Sequence, residues 1–191
     1  MKGFRDFLVE DKNTHLEHLE DEIINNGTKG AKTAINFLKS VKKMLQGGQG
    51  NTTVSVKWDG APAVFCGTHP DTKKFFVGSK SVFNVNAKIN YTEEDIDRNH
   101  GSSPGLASKL KDCLKYLPEL GIQGMAQGDL LFTDDKERKK INGTNCLIFQ
   151  PNTITYCIPE EDELYEKALK AKLGVVFHTS YHFVVHNIMT A

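Results

Sequence analysis

Apolar residues recur at helical spacing in the first quarter of the chain. Thr14-His15-Leu16-Glu17 matches a capping box, and the apolar positions after it predict a helix that ends at Asn26-Gly27. A second helix is predicted over residues 32–46, with a wide apolar stripe on one face. The segment Gly47-Gly48-Gln49-Gly50 ends this second helix. These elements predict an N-terminal helical part, residues 1–50.

After these glycines the pattern changes to that of short β-strands. Strands are predicted at residues 52–58, 61–66, 74–78, 124–132, 145–150, 154–158 and 173–185, and helices at residues 92–98, 105–120 and 161–171. The helices stand before and between antiparallel segments and do not alternate regularly with strands, which is typical of an α+β fold. We therefore expect a single domain, residues 1–191, in which residues 51–191 form an antiparallel β-sheet core with flanking helices.

The overall charge argues against some classes of nucleic-acid-binding protein. The chain has 191 residues, and 24 Lys and Arg are balanced by 24 Asp and Glu, so the formal net charge is zero. A protein held to duplex nucleic acid mainly by phosphate neutralisation usually shows a basic excess. The second predicted helix is nevertheless locally basic, with Lys32, Lys39, Lys42 and Lys43. Its outer face is either a solvated helix surface or a nucleic-acid contact.

The lack of a recognisable targeting signal and the spacing of the cysteines predict a protein of a reducing compartment. The first ten residues carry charges and no apolar run long enough for a signal peptide, and no stretch approaches the ~18 apolar residues of a membrane helix. We expect a cytoplasmic protein with no membrane partner. Its cysteines are Cys66, Cys113, Cys146 and Cys157. Because none of them forms a Cys-x-x-Cys pair, we predict reduced, mostly buried thiols.

The segment Val54-Ser55-Val56-Lys57-Trp58-Asp59-Gly60-Ala61-Pro62-Ala63 carries the candidate chemistry. It places Lys57 near the end of a predicted apolar strand and follows it with Asp-Gly, a turn where a phosphate can approach the backbone. A lysine side chain has a pKa of about 10.4 in water, so nucleophilic attack at neutral pH requires desolvation or a neighbouring positive charge. Burial in a strand could supply the desolvation. The alternative is a hairpin turn beside an exposed lysine, because Asp-Gly is also the commonest hairpin turn.

Four segments in order resemble motifs of one enzyme superfamily. Lys57-Trp58-Asp59-Gly60 resembles the nucleotidylation motif Lys-x-Asp-Gly of the covalent nucleotidyltransferases, which include DNA ligases, RNA ligases and mRNA capping enzymes. Val77-Gly78-Ser79-Lys80-Ser81 stands where that family has a basic element near the ribose. Gln127-Gly128-Asp129-Leu130-Leu131-Phe132 is similar to its Gly-Glu-Leu strand, and Cys146-Leu147-Ile148-Phe149-Gln150 to the strand whose aromatic residue stacks on the purine. The resemblance covers residues 52–150.

This resemblance implies an adenylation-domain-like fold and a covalent lysyl-AMP formed at Lys57 from ATP. Lys80 would neutralise phosphate charge, and Asp129 would accept hydrogen bonds from the ribose. Phe149 would offer its π face to the base. The nucleotide-binding set is completed by Asp59 and Gly60. Mg²⁺ would bridge the phosphates and leave with pyrophosphate.

Several features of this set are left open by the sequence. Asp59 either orients the turn or touches the metal, and the other metal ligands are unknown. For Asp129 the alternative role is an acid at a turn or sheet edge, and for Phe149 it is a core aromatic residue. The partners that the resemblance implies are ATP and the ends of RNA or DNA.

The resemblance weakens after residue 150. Leu173-Gly174-Val175-Val176 is the best match to a Glu-Gly-x-Val motif but lacks its glutamate, and no Lys-x-Lys strand follows. We therefore expect either a shortened, phage-type relative of polynucleotide ligases, acting in the host cytoplasm, or a fold whose activity has drifted. The alternative function is a non-catalytic accessory protein of the same fold that binds nucleotide or nucleic acid.

Two other groups of residues have simpler interpretations. His178, His182 and His186 are spaced four apart, but across a strand they would spread over more than about 20 Å, too far for one metal ion. Cleft or surface histidines are therefore expected. The mixed-charge segment 134–140 predicts a solvated hairpin tip, with polynucleotide contact by Arg138, Lys139 and Lys140 as the alternative.

Overall fold

The computed structural model describes residues 8–13, 18–48 and 55–183. Its internal contacts divide the chain into two compact units. One unit is His15–Trp58, and the other combines Met1–Thr14 with Asp59–Ala191. The boundary between the units therefore falls inside the Lys57 motif, between Trp58 and Asp59.

The helical unit contains one long helix, α1 (Leu19–Leu45). Its first turn is acidic, which stabilises the positive end of the helix dipole, and the Asp21 carboxylate accepts a hydrogen bond from the His18 N–H at 3.0 Å. The predicted capping box at residues 14–17 lies outside the described residues. Gly27 breaks the helical backbone with φ 53° and ψ −131°. Two helical segments therefore meet at a kink at Gly27, where the first helix was predicted to end, and the second segment resumes directly after the bend, earlier than the predicted residue 32.

The β-rich unit contains two antiparallel sheets. The strands are β1 (Leu8–Asn13), β2 (Ala63–Thr68), β3 (Phe75–Gly78), β4 (Met125–Phe132), β5 (Lys136–Ile141), β6 (Thr144–Phe149), β7 (Tyr156–Pro159) and β8 (Gly174–Phe183). The first sheet has five strands in the order β1-β8-β4-β2-β3, and the second has three in the order β5-β6-β7. All neighbouring strands run antiparallel.

Helices flank the two sheets. They are α2 (Glu93–His100), α3 (Pro104–Tyr116), α4 (Tyr165–Lys170) and the 3₁₀ helices Lys80–Phe83 and Leu117–Leu120. One sheet face packs against α2 and α3, through a buried cluster that consists of Val64, Cys66, Val77, Ile96, Ala107, Leu110, Cys113, Leu117 and Leu130. Helix α3 is therefore amphipathic. The expected α+β fold, with antiparallel sheets and flanking helices, is confirmed.

The opposite face of the first sheet has its own apolar cluster. Phe65, Phe76, Val82 and Met125 are buried there. Phe65 and Val64 belong to different clusters because successive side chains of a strand point to opposite faces. The 3₁₀ helix Lys80–Phe83 contributes Val82 to this cluster, so it covers the face that α2 and α3 leave open.

Three predicted elements differ from the structure. Residues 134–140 are not a hairpin tip, because β5 pairs along its whole length with β6, and an edge strand tolerates charged side chains. The helix predicted over residues 161–171 begins only at Tyr165. Residues 55–58 form no strand, and residues 52–54 lie outside the described residues. Pairing with β4 stops near Ala61, and none of the described strands pairs with residues 55–58 to stabilise them as a strand.

The cysteines match the prediction of reduced, mostly buried thiols. All four are free, and only Cys157 is exposed. Burial raises the pKa of Cys66 and of Cys113 to about 12, so both remain protonated core residues at neutral pH. Among the described residues, no helix is both long enough and apolar enough to span a bilayer.

A buried polar network ties α2 to β3. The Asn90 side chain is fully buried, and its Nδ2 donates to the Val77 carbonyl oxygen at 2.9 Å and lies 3.4 Å from His100 Nε2. Its Oδ1 accepts a hydrogen bond from Asn99 Nδ2 at 2.9 Å. His100 is only 6% exposed. Burial lowers the pKa of His100, and the positive charge of Lys88 lowers it further.

This network predicts that acid destabilises the β-rich unit through His100. Above pH ~6.5 the imidazole is neutral in both the folded and the unfolded state. As the pH falls below that value, the unfolded chain takes up the proton first, so the free energy of unfolding decreases until the pH passes the lower pKa of folded His100. Urea unfolding at about pH 7.5 and about pH 5.5 measures the loss.

The control for this measurement is His100→Gln, which keeps a polar side chain but cannot be protonated. Other titrating groups are common to both proteins, so the variant should lose less stability between the two pH values than the wild type. Equal losses in the two proteins would contradict the assignment to His100.

Candidate functional site

The segment that follows Lys57 is hydrogen-bonded to the end of β4. The Ala61 N–H donates to the Leu130 carbonyl oxygen at 2.9 Å, and the Leu130 N–H donates to the Pro62 carbonyl oxygen at 3.0 Å. These bonds extend the β2–β4 ladder, in which Ala63 faces Asp129. The Asp-Gly part of the first motif and the Gly-Asp-Leu part of the third are therefore adjacent in the fold.

Two glycines allow this close approach. A Cβ atom on Gly60 would lie 2.4 Å from the Leu130 carbonyl oxygen. A Cβ atom on Gly128 would lie 2.5 Å from the Val176 carbonyl oxygen on β8. Both distances are too short for a side chain, because the atoms that would be hit belong to the backbone of a neighbouring strand. The glycine of each motif is thus needed for strand approach.

Asp59 is held by the second sheet. Its N–H donates to the Tyr156 hydroxyl oxygen at 2.7 Å, and the same hydroxyl donates to the Asp59 carbonyl oxygen at 3.1 Å. The Asp59 carboxylate is exposed and accepts a longer hydrogen bond, 3.4 Å, from Asn152 Nδ2. Of the two roles that the sequence left open, these contacts support orientation of the turn. Neither Tyr156 nor Asn152 was identified from the sequence, and no local pattern marks them as partners of Asp59.

Lys80 lies at the same end of the first sheet. Gly78, the last residue of β3, pairs with Phe65, and Ala63 pairs with Asp129. Because β2 runs antiparallel to both neighbours, the chain leaves β3 at the sheet end where Asp129 lies. Lys80 is exposed and begins the 3₁₀ helix that the Ser79 side chain caps.

Asp129 has a partly buried histidine beside it. The His178 Nε2 lies 3.8 Å from Asp129 Oδ1, and the two side chains are 13% and 19% exposed. Gln127 pairs with Thr179 but Gly128 pairs with Phe177, so His178 is the extra residue of a β-bulge. A bulge redirects one side chain, and here the Nδ1 of that side chain is 2.8 Å from Thr179 Oγ1. The spacing of the three histidines did not reveal this position.

The three C-terminal histidines were expected to be cleft or surface residues, too far apart along a strand for one metal ion. His186 lies outside the described residues. Within the described part of the chain, no group of three or more His, Cys, Asp and Glu side chains is arranged to hold a metal ion. His178 thus lies beside Asp129 and belongs to no such group among the described residues.

A second polar contact lies two residues earlier on β4. The Tyr181 hydroxyl donates to Gln127 Oε1 at 2.7 Å. Gln127 and Asp129 point to one face of the sheet because they are two residues apart on a strand. This face is also the one that Phe65 and the 3₁₀ helix Lys80–Phe83 occupy. The end of the first sheet that carries Asp59, Gly60, Lys80, Asp129 and His178 is the candidate site.

Phe149 is not at that polar end. It is 3% exposed, and its ring stacks on Tyr156 with a centroid distance of 5.4 Å and packs against Phe132 at 4.9 Å. The ring therefore has no open face for a purine, and it occupies the core position that was the alternative. Its contact with Tyr156 nevertheless supports the side chain that holds Asp59.

Lys57 belongs to the helical unit and is exposed. It does not lie on a strand, so the desolvation expected from burial in a strand is not found. Two peptide links separate it from Asp59, which limits the distance between their Cα atoms to about 7.6 Å for any arrangement of the two units.

Gly60→Ala should separate the first motif from β4. The added methyl group would collide with the Leu130 carbonyl oxygen, so we expect a loss of about 1–3 kcal/mol in the free energy of unfolding, measured in urea. The matched control is Gly105→Ala at the start of α3, where a Cβ meets nothing within 4 Å. A Gly60→Ala protein as stable as the control would contradict the close approach.

The comparisons with known proteins identify a family. No curated protein and no solved structure matches the chain. The model of a family described as a family of unknown function (DUF6267) matches residues 13–190. That match spans both compact units and all five residues of the candidate site. The chain therefore belongs to the DUF6267 family.

Proposed function

We propose that the protein forms a covalent lysyl-AMP at Lys57 from ATP, and that its activity is related to that of polynucleotide ligases. The observation that supports this proposal is the backbone pairing of Ala61 and Pro62 with Leu130. This pairing brings together two segments that resemble separate nucleotidyltransferase motifs and are about 70 residues apart in sequence. The register of β2, β3 and β4 adds Lys80 at the same sheet end.

The reaction follows from the chemistry of the residues. The neutral amine of Lys57 attacks the α-phosphorus of ATP, a P–N bond forms, and the bond from that phosphorus to the bridging oxygen breaks. Pyrophosphate leaves with the bonding electron pair, and the amine loses a proton to solvent. Lys80 would stabilise the charge that develops on the phosphate oxygens.

The nucleoside would be oriented by the other residues of the sheet. Asp129 would accept hydrogen bonds from the ribose hydroxyls, and His178 would keep its carboxylate in position from 3.8 Å away. Asp59 would fix the turn after Lys57 through its two hydrogen bonds with Tyr156. Phe149 would act indirectly, by supporting the Tyr156 ring.

Magnesium fits this site only together with the phosphates. The described residues offer no ready cluster of three or more ligating side chains. Mg²⁺ commonly binds through one or two carboxylates together with substrate phosphates. Asp59, with its exposed carboxylate, is the residue that would hold it, and bound magnesium would supply positive charge that offsets the charge of the triphosphate.

The proposal predicts a covalent label that depends on Lys57. After incubation with α-labelled ATP and Mg²⁺, the denatured wild type should retain label on a gel. Lys57→Ala and Lys57→Arg should retain at least about 100-fold less, because neither offers a nucleophilic amine at neutral pH. A run with α-labelled GTP tests which nucleotide is used.

The control is Lys39→Ala, which removes an exposed lysine of α1 and introduces a good helix former. It should label as the wild type does. An unlabelled wild type, or Lys57 variants that are labelled as strongly as the wild type, would contradict the catalytic proposal.

A second candidate function is favoured by one observation. Lys57 is exposed and does not lie on a strand, whereas a nucleophile buried in a strand was expected. Binding of a nucleotide at the Asp129 end of the sheet, without formation of an adduct, is the function that agrees with this exposure.

Thermal unfolding distinguishes binding from adduct formation. ATP at about 100-fold its Kd stabilises a folded protein by about 2.7 kcal/mol, which should raise the Tm by about 5 °C or more. If the protein only binds, wild type and Lys57→Ala should shift equally without any label, and Asp129→Ala should shift much less. Absence of a shift in the wild type would argue against both candidate functions.

A further inference from the structure

The outer edge of the second sheet is strongly basic. Strand β5, with the sequence KERKKI, is an edge strand, and every residue of it except Lys136 is exposed. Four of its six residues carry a positive charge, and one carries a negative charge. This concentration of charge contrasts with the zero net charge of the chain.

One of these cations already has a structural role. Lys136 Nζ donates to the Ala168 carbonyl oxygen at 2.6 Å and also to the Ala171 carbonyl oxygen. It therefore caps the C-terminus of α4, where backbone carbonyls lack helical partners. Lys136 is thus not available to a ligand.

The other three cations are not used in this way. Arg138, Lys139 and Lys140 form no ion pair with the described residues. They line a cleft of about 270 Å³ together with Asn145, Glu160 and Tyr165. We call these six residues the β5 cleft. The only acid among them, Glu160, accepts a hydrogen bond from Asn145 Nδ2 at 2.8 Å, so the lining of the cleft contains three cationic residues and one engaged carboxylate.

The chemistry of the β5 cleft suits phosphate groups spaced along a chain. Arg138 and Lys140 are two residues apart on a strand, so their Cα atoms are about 7 Å apart and their side chains point to the same face. The arginine guanidinium offers a planar fork of donors that matches phosphate oxygens. As an edge strand, β5 also presents backbone N–H groups that no other described strand accepts.

We propose that the β5 cleft binds the phosphate backbone of a single-stranded polynucleotide. A strand with consecutive phosphates can engage the separate cations at once, whereas a single phosphate cannot. The competing explanation is that the charges only protect an edge strand from pairing with another chain. This inference does not rest on the chemistry of Lys57.

Fluorescence anisotropy with a labelled single-stranded oligonucleotide, in DNA and RNA forms and without ATP, tests the proposal. Replacing Arg138, Lys139 and Lys140 together by glutamine should raise the Kd at low salt by about 10-fold or more. The slope of log K against log salt should become shallower by about 2, since each phosphate contact on a single strand contributes about 0.7. Lys32, Lys39 and Lys43, replaced together by glutamine on α1, are the matched control with the same change in net charge.

The outcomes separate the explanations. The proposal holds if the β5 variant loses affinity and the α1 variant stays within about 2-fold of the wild type. It is overturned if the two variants behave alike, if only the α1 variant loses affinity, or if the wild type does not bind. It is also overturned if inorganic phosphate competes as well as the strand at equal phosphate concentration.

A measurement on the wild type tests the proposal even if the triple variant does not fold. Photo-crosslinking to an oligonucleotide that carries bromouracil, followed by peptide mapping, should label the peptides that contain residues 136–145. Crosslinks found only elsewhere would overturn the proposal. These assays contain no ATP, so strand binding here, together with an unlabelled wild type in the separate experiment with α-labelled ATP, would overturn the proposed function and leave this inference standing.

Discussion

The pairing of residues 61–62 with Leu130 is the interaction on which the candidate site depends. It consists of two backbone hydrogen bonds, at 2.9 and 3.0 Å, and it continues the β2–β4 ladder past Ala63. Two backbone bonds of this kind are individually modest in net free energy. Their importance is geometric, because they fix the register that brings Asp59 and Gly60 beside Asp129.

Much of the fold could be predicted from periodicity, and the errors have physical causes. The strand predicted near Phe65 is present because it is apolar on both faces and both are buried, and the helix that contains Leu110 is present because its one apolar face is buried. Residues 55–58 look like a strand by composition, yet strand formation needs a neighbour to accept the backbone bonds. Lys136–Ile141 looks like a loop by charge, yet an edge strand has a solvent-exposed side where such residues are stable.

The candidate site was predicted only in part. The order of the motifs, known from the resemblance, indicated Asp129 and Lys80, and the sheet register places both at one end. Tyr156 and His178 were missed because neither has a local signal. Tyr156 is 97 residues from its partner Asp59, and His178 is directed by a bulge that depends on the pairing of β4 with β8. Phe149 was identified as an aromatic residue on a strand, but alternation alone does not say what covers it.

The double hydrogen bond between Tyr156 and Asp59 joins the two sheets mechanically. Tyr156 lies on β7, which is separated from β5 by one strand, or about 10 Å across the second sheet. Any displacement of that sheet must either break both bonds to Asp59 or carry the Asp-Gly turn with it. A displacement of β5 is thus passed through the second sheet to Asp59, two positions after Lys57. The ring of Phe149, which stacks on Tyr156, supports this connection.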